Sequence, residues 1–115
     1  KSTNPNTQKE DKFIAKLRNL ILDELENIEL NGEYLGHKIG MSRMQLHRKL
    51  KALTNQSVGE LIKDIRLTKA MELLQSSNLN VSEVAYQTGF SSPSQLSRNF
   101  KSRFGFPPSK VNKTQ

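Results

Sequence analysis

An all-α fold with two helix-turn-helix units follows from three features of this 115-residue chain. The first is an internal repeat. Gly40-Met41-Ser42, then Leu46-His47-Arg48-Lys49-Leu50-Lys51, returns as Gly89-Phe90-Ser91, then Leu96-Ser97-Arg98-Asn99-Phe100-Lys101. Leu35, Gly36 and Ile39 repeat as Val84, Ala85 and Thr88. Each copy reads as a short helix, a Gly-containing turn and a second helix with a basic outer face. The second feature is apolar residues recurring at helical spacing along most of the chain. The third is a set of four capping-box patterns: Ser42 with Gln45, Ser57 with Glu60, Asn80 with Glu83, and Ser92 with Gln95. In such a box two side chains satisfy each other's free backbone donors, and all four fall where the repeat requires a helix to start.

The elements follow in order. Residues 1–9 are polar and read as a flexible linker or terminus. Residues 10–56 form the first helix-turn-helix unit with an N-terminal helix, 57–76 a linker helix, and 77–112 the second unit. From about Asp11 to Asn27, Phe13, Leu17, Leu20, Ile21, Leu25 and then Ile28 recur at helical spacing, with acidic residues between them, as in an amphipathic helix. Asn31 caps a short helix carrying Tyr34, Leu35 and Ile39, and Gly40 ends it in the left-handed conformation that Gly adopts at little cost. Between the units, Val58, Leu61, Ile62 and Ile65 lie on one side of a helix whose apolar surface continues through Leu67, Ala70, Met71 and Leu74. At about 1.5 Å per residue this segment spans roughly 28 Å, enough for a stiff strut. Pro93 stands at the first position of the last long helix, where its missing N–H is harmless.

Charge separates the chain into unlike parts. Residues 1–33 carry five Lys/Arg against seven Asp/Glu, whereas residues 34–115 carry thirteen against four. A concentrated positive field suits a polyanion. No cysteine and only two histidines, His37 and His47, are present. Neither a metal site nor any other cofactor is expected, and no Gly-rich phosphate loop or acid–base constellation points to an enzyme. No apolar run is long enough to span a bilayer and the polar stretch Lys1 to Lys9 lacks the apolar segment of a signal peptide, so no membrane contact by this fragment and a cytoplasmic location are expected.

Setting Leu46 at zero and advancing about 100° per residue, Leu50 and Leu53 fall within about 40° of it, while His47, Lys51, Met44 and Arg48 fall at about 100–200°. The second copy behaves alike: Leu96 and Phe100 point inward, and Ser97, Lys101, Ser94 and Arg98 occupy the outward arc. That arc suits the major groove of DNA, which admits one α-helix. Arg48 and Arg98 can each grip guanine O6 and N7 with two bonds, His47, Ser94 and Ser97 can bond base edges or phosphates, and Met44 can pack on a thymine methyl. Lys51 and Lys101, one turn further on, with Ser42 and Ser91 at the turns, are assigned to phosphates, which fix register without reading sequence.

Other residues read as structural. His37 is expected to be an ordinary surface or partly buried histidine, and Met41 and Phe90 to be core pegs at the turns. Arg66 lies between two apolar arcs of the linker helix, where an ion pair near Asp64 or with Glu83 competes with a DNA contact. Arg103 is expected to pack its stem and send its head to water, with Phe104 in the core.

From about Asn31 to Val111 the chain resembles the DNA-binding domain of the AraC/XylS transcription regulators. The most specific residues are Asn80-Val81-Ser82-Glu83-Val84-Ala85, Gly89-Phe90-Ser91, Leu96-Ser97-Arg98-Asn99-Phe100-Lys101 and Phe104-Gly105-Phe106-Pro107-Pro108-Ser109. The resemblance implies about seven helices in two homeodomain-like three-helical units joined by a long helix, with recognition helices entering successive major-groove segments. It also implies Met44, His47 and Arg48 as base readers of the first unit and Ser94, Ser97 and Arg98 of the second. Leu96 departs from an aromatic residue common in the family, Asn55 stands where Gly is frequent, and Gly36 replaces a usual Ala; all three concern packing. The basic run from Arg48 to Thr54, behind an acidic helix, is similar to the output domains of bacterial hybrid two-component and response regulators.

Sequence-specific binding of double-stranded DNA by the output domain of a bacterial transcription regulator is therefore the expected function. RNA polymerase or an upstream receiver or sensor domain of the same chain is the further expected partner. The alternative is a helical protein-interaction module engaged through the apolar face of the first helix. A chain starting at Lys1 without Met suggests a fragment, and any dimer is expected to form through regions outside it.

Overall fold

In a computed structural model, which describes residues 5–113, the chain contains six α-helices and one 3-10 turn, with no strand among the described residues. The helices are α1 (Pro5–Asp23), α2 (Gly32–Ile39), α3 (Arg43–Thr54), α4 (Val58–Ser76), α5 (Val81–Gln87) and α6 (Pro93–Phe104), followed by the 3-10 turn Pro108–Lys110. The all-α reading with a long central helix holds. Two boundaries differ from expectation. Helix α1 already includes residues 5–9 of the expected linker, whose remaining residues 1–4 lie outside the described residues, and it ends at Asp23 rather than near Asn27. The chain divides into two compact units, one of residues up to Glu24 with Glu29–Ile62, the other of Leu25–Ile28 with the residues from Lys63 onward. Helix α4 thus begins in the first unit and ends in the second.

In the first unit, α2 packs against α3. Leu35, Leu46 and Leu50 are fully buried. Asn31 Oδ1 accepts from the Tyr34 N–H at 2.8 Å and starts α2, and Gly40, at φ 77°, ends it. The Met41 N–H donates back to the Gly36 carbonyl at 2.8 Å, which folds the chain into the turn. Gly36 has a steric reason here: a β-carbon on it would lie 2.6 Å from the Met41 carbonyl oxygen. Ser42 and Gln45 then form a complete capping box at 2.8 and 3.0 Å, as Ser57 and Glu60 do at the start of α4. Asn55 terminates α3 at φ 61°, a left-handed conformation that Asn visits more readily than other non-Gly residues. Tyr34 Oη donates to Glu24 Oε1 at 2.5 Å, and that hydrogen bond, with burial, raises the phenol pKa. Lys49 Nζ sits 4.4 Å from the centre of the Phe13 ring and ties α3 to α1.

The second unit repeats this grammar. Asn80 and Glu83 form a complete capping box on α5, and the Phe90 N–H donates to the Ala85 carbonyl at 2.9 Å just as Met41 does to Gly36. The core comprises Leu67, Ala70, Leu74, Val84, Ala85, Phe90, Leu96 and Phe100, with Met71, Leu73, Leu79, Val81, Phe104 and Val111 packed around it. Buried Thr88 carries no unmet polar group, since Thr88 Oγ1 donates to the Val84 carbonyl at 2.7 Å. Helix α6 ends at Gly105, at φ 88°. Phe100 meets Phe104 and Phe106 at ring-centre distances of 4.6 and 6.0 Å.

Four expectations need correction in these details. The fourth capping box is only half formed: Ser92 Oγ accepts from the Gln95 N–H, but Gln95 Oε1 accepts from the N–H of Ser91 rather than Ser92. The second turn holds one residue more than the first, and the return arm of the box moves to that residue. Phe90 is a core peg, whereas Met41 is only half-buried. Arg66 pairs with neither Asp64 nor Glu83 and, among the described residues, instead donates to the carbonyls of Leu25 and Asn27. Phe104 is half-buried against the core rather than filling it, while the Arg103 head reaches the surface as expected and there donates from Nε to Asp64 at 3.2 Å.

Candidate nucleic-acid interface

Helices α3 and α6 each bury one stripe and expose another. On α3, Leu46 and Leu50 are fully buried while Met44 is 65% exposed and His47, Arg48 and Lys51 are exposed. On α6, Leu96 and Phe100 are fully buried and Ser94, Arg98 and Lys101 are exposed, with Ser97 half-buried. The 100° rule therefore sorts both helices apart from Ser97, assigned to the outward arc but half-buried, because caps at each end hold them in regular α-geometry and one pair of large apolar side chains fixes the rotation of each.

Freedom of the side chains matters as much as exposure. None of Met44, His47, Arg48, Lys51, Ser94, Ser97, Arg98 and Lys101 makes a side-chain hydrogen bond or ion pair among the described residues. An exposed guanidinium without an internal partner retains its full planar fork of donors, the geometry that matches guanine O6 and N7 or a phosphate. Arg48 and Arg98 meet this condition at equivalent positions of the repeat. Nearby groups do not: Lys49 is engaged by Phe13, Arg103 by Asp64, and Asn99 Nδ2 donates to the Gln95 carbonyl. Lys49 stands about 60° from Leu46 on the side away from the outward arc, so the helical wheel alone distinguishes it from Lys51.

The two turn serines differ. Ser42 Oγ caps α3 as an acceptor, which leaves its O–H free to donate to a phosphate. Ser91 Oγ donates to Gln95 Oε1 at 3.0 Å and must break that bond to reach one. Among the described residues no group of three or more His, Cys, Asp or Glu side chains could hold a metal ion. No helix among them is long and apolar enough to cross a membrane.

Comparison with known proteins agrees with this geometry. A family profile described as "Helix-turn-helix domain" matches residues 35–114, which is most of the chain. The chain belongs to the AraC-type helix-turn-helix family. Among solved structures, this AraC-type domain is similar to the C-terminal domain of AraT, a response regulator from Geobacillus stearothermophilus. The two are 27% identical with a TM-score of 0.78, covering 89% of this chain and 84% of that one. It is also similar to the DNA-binding domain of AdpA, a global transcriptional factor solved in complex with a target DNA. Here the identity is 29% and the TM-score 0.75, over 83% of this chain and 85% of that one. A curated relative, Histidine kinase P4 of Formosa agariphila, is 33% identical over 100 residues, which is 87% of this chain and 7% of that protein. The AraC-type domain spans between 7% and 35% of the length of the first curated relatives it matches.

Proposed function

We propose that this AraC-type domain is the sequence-specific, double-stranded-DNA-binding output domain of a bacterial transcription regulator. The observation that carries this reading is the pair Arg48 and Arg98: equivalent, exposed, without a side-chain partner among the described residues, and each set on the outward face of a capped helix whose opposite face is locked into a core. In this reading α3 and α6 enter major-groove segments. Met44, His47 and Arg48 read bases from the first unit, and Ser94, Ser97 and Arg98 from the second, while Lys51, Lys101, Ser42 and Ser91 contact phosphates. Ser97, half-buried, reaches only a base edge that comes close to the helix.

The likeness to a response-regulator domain and to a small part of a histidine kinase supports a place at the output end of a longer signalling chain. In that arrangement an upstream receiver or sensor domain, or RNA polymerase, is the second partner, and the domain works in the bacterial cytoplasm by binding and not by catalysis. The interaction-module alternative loses its main surface. Leu17 and Ile21, the centre of the apolar face of α1, are fully buried.

Thirteen Lys/Arg against four Asp/Glu over residues 34–115 imply an electrostatic contribution that salt removes. If about six phosphates are neutralised, log K should fall against log salt with a slope near −5. Fluorescence anisotropy on a labelled duplex at several salt concentrations measures this slope, and a flat response contradicts the proposed function.

A further inference from the structure

The two turns that precede the candidate recognition helices are built alike but held differently. In the first unit a β-carbon on Gly40 would meet nothing within 4 Å. In the second, a β-carbon on Gly89 would lie 1.9 Å from the Leu25 carbonyl oxygen and 2.6 Å from Arg66 Nε. The backbone of that turn therefore lies directly against two other segments. Arg66 Nη2 joins those segments by donating to the Leu25 carbonyl at 3.0 Å and to the Asn27 carbonyl at 3.4 Å. Leu25–Ile28 belongs to the second compact unit, although the residues on both sides of it belong to the first.

Keeping an arginine here is costly. Arg66 Nε is buried with no hydrogen-bond partner, and burial pushes the guanidinium pKa down, though the group stays protonated. The first unit makes the same Gly turn without any such contact, so the arginine is not needed for the turn to form. What it adds is a fixed position for the Gly89 backbone, only three residues before the Ser92 cap that starts α6.

We propose that Arg66 and the Leu25–Ile28 segment form a clasp that sets the Gly89 turn and hence the aim of α6, making Arg66 a positioning residue for base reading by the second unit alone. The clasp rests on the reading of α6 as a recognition helix. Both carbonyls accept from the one nitrogen Nη2, at the tip of a side chain that reaches further than a lysine's, so a lysine replaces the arginine only in part.

The test uses the 115-residue chain on a duplex selected from a random DNA pool, with half-sites assigned to the two units by Arg48→Ala and Arg98→Ala. Arg66→Met keeps the aliphatic stem and removes the fork. It should lose about tenfold in discrimination against single-base changes in the second half-site and keep wild-type discrimination in the first, with Arg66→Lys recovering part of the loss. Equal losses at both half-sites, or no loss at either, overturn the clasp. A wild-type chain that selects no site at all is instead a failure of the DNA-reading proposal. Should circular dichroism show Arg66→Met unfolded, amide hydrogen exchange of wild-type residues 25–28 decides. Slower exchange on the full duplex than on one with the second half-site scrambled supports the clasp, and equal exchange on both overturns it.

Discussion

Replacing Phe100 by Ala should lower the unfolding free energy by about 3–5 kcal/mol, close to the upper end for a single core truncation. The side chain is fully buried, and the core it shares with Leu67, Leu74, Val84 and Leu96 is built from three helices, so no single shift can close the space left behind. The ring also loses its contacts with Phe104 and Phe106. Because Phe100 fixes the rotation of α6, the same lesion should loosen the outward arc that carries Arg98. Lys101→Ala, on the same helix but exposed, is the control and should stay within about 0.5 kcal/mol of wild type. Urea denaturation followed by circular dichroism gives both values. A loss below about 1 kcal/mol for Phe100→Ala contradicts this account of the core.

Gly89→Ala should be the most damaging of the glycine substitutions, and two others serve as its controls. Gly40, Gly89 and Gly105 all have positive φ, at 77°, 87° and 88°, so an alanine at any of them carries the left-handed penalty of about 1–2 kcal/mol. Only at Gly89 does the added carbon meet a wall, the Leu25 carbonyl at 1.9 Å, whereas at Gly40 and Gly105 nothing lies within 4 Å. The turn must then move, and the total cost should reach about 3 kcal/mol or more. Thermal or urea unfolding of the three variants separates the terms. Equal losses for all three mean that conformation alone matters and that the close approach does not.

Much of this was legible in the residues because the determinants are local. Capping boxes and helical periodicity act within four residues, so the positions of α2, α3, α5 and α6 and the split between Leu46 and Arg48, or Phe100 and Arg98, could be read directly. The start of α1 at Pro5 was missed because residues 1–9 lack the apolar periodicity that marks a helix. Longer-range pairings were also hidden. Arg66 stood out as a polar residue among apolar ones, but its acceptors are the backbone carbonyls of Leu25 and Asn27, about forty positions away, and a carbonyl carries no side-chain signature. The Arg103–Asp64 pair was missed for a related reason, since each residue alone looks like an ordinary solvated charge.

Base reading by paired arginines is tested most directly by comparing wild type, Arg48→Ala and Arg98→Ala, each confirmed folded, on a selected duplex, on its single-base variants and on random duplex. Each substitution should cost about 1–3 kcal/mol on the selected duplex and relax preference at its own, separate base positions, because in the proposed reading each removes a two-bond contact to a different base pair. Lys51→Ala and Lys101→Ala should instead weaken all duplexes alike, as loss of a phosphate contact does. Equal losses for Arg48→Ala and Arg98→Ala on selected and random DNA would contradict base reading by these residues.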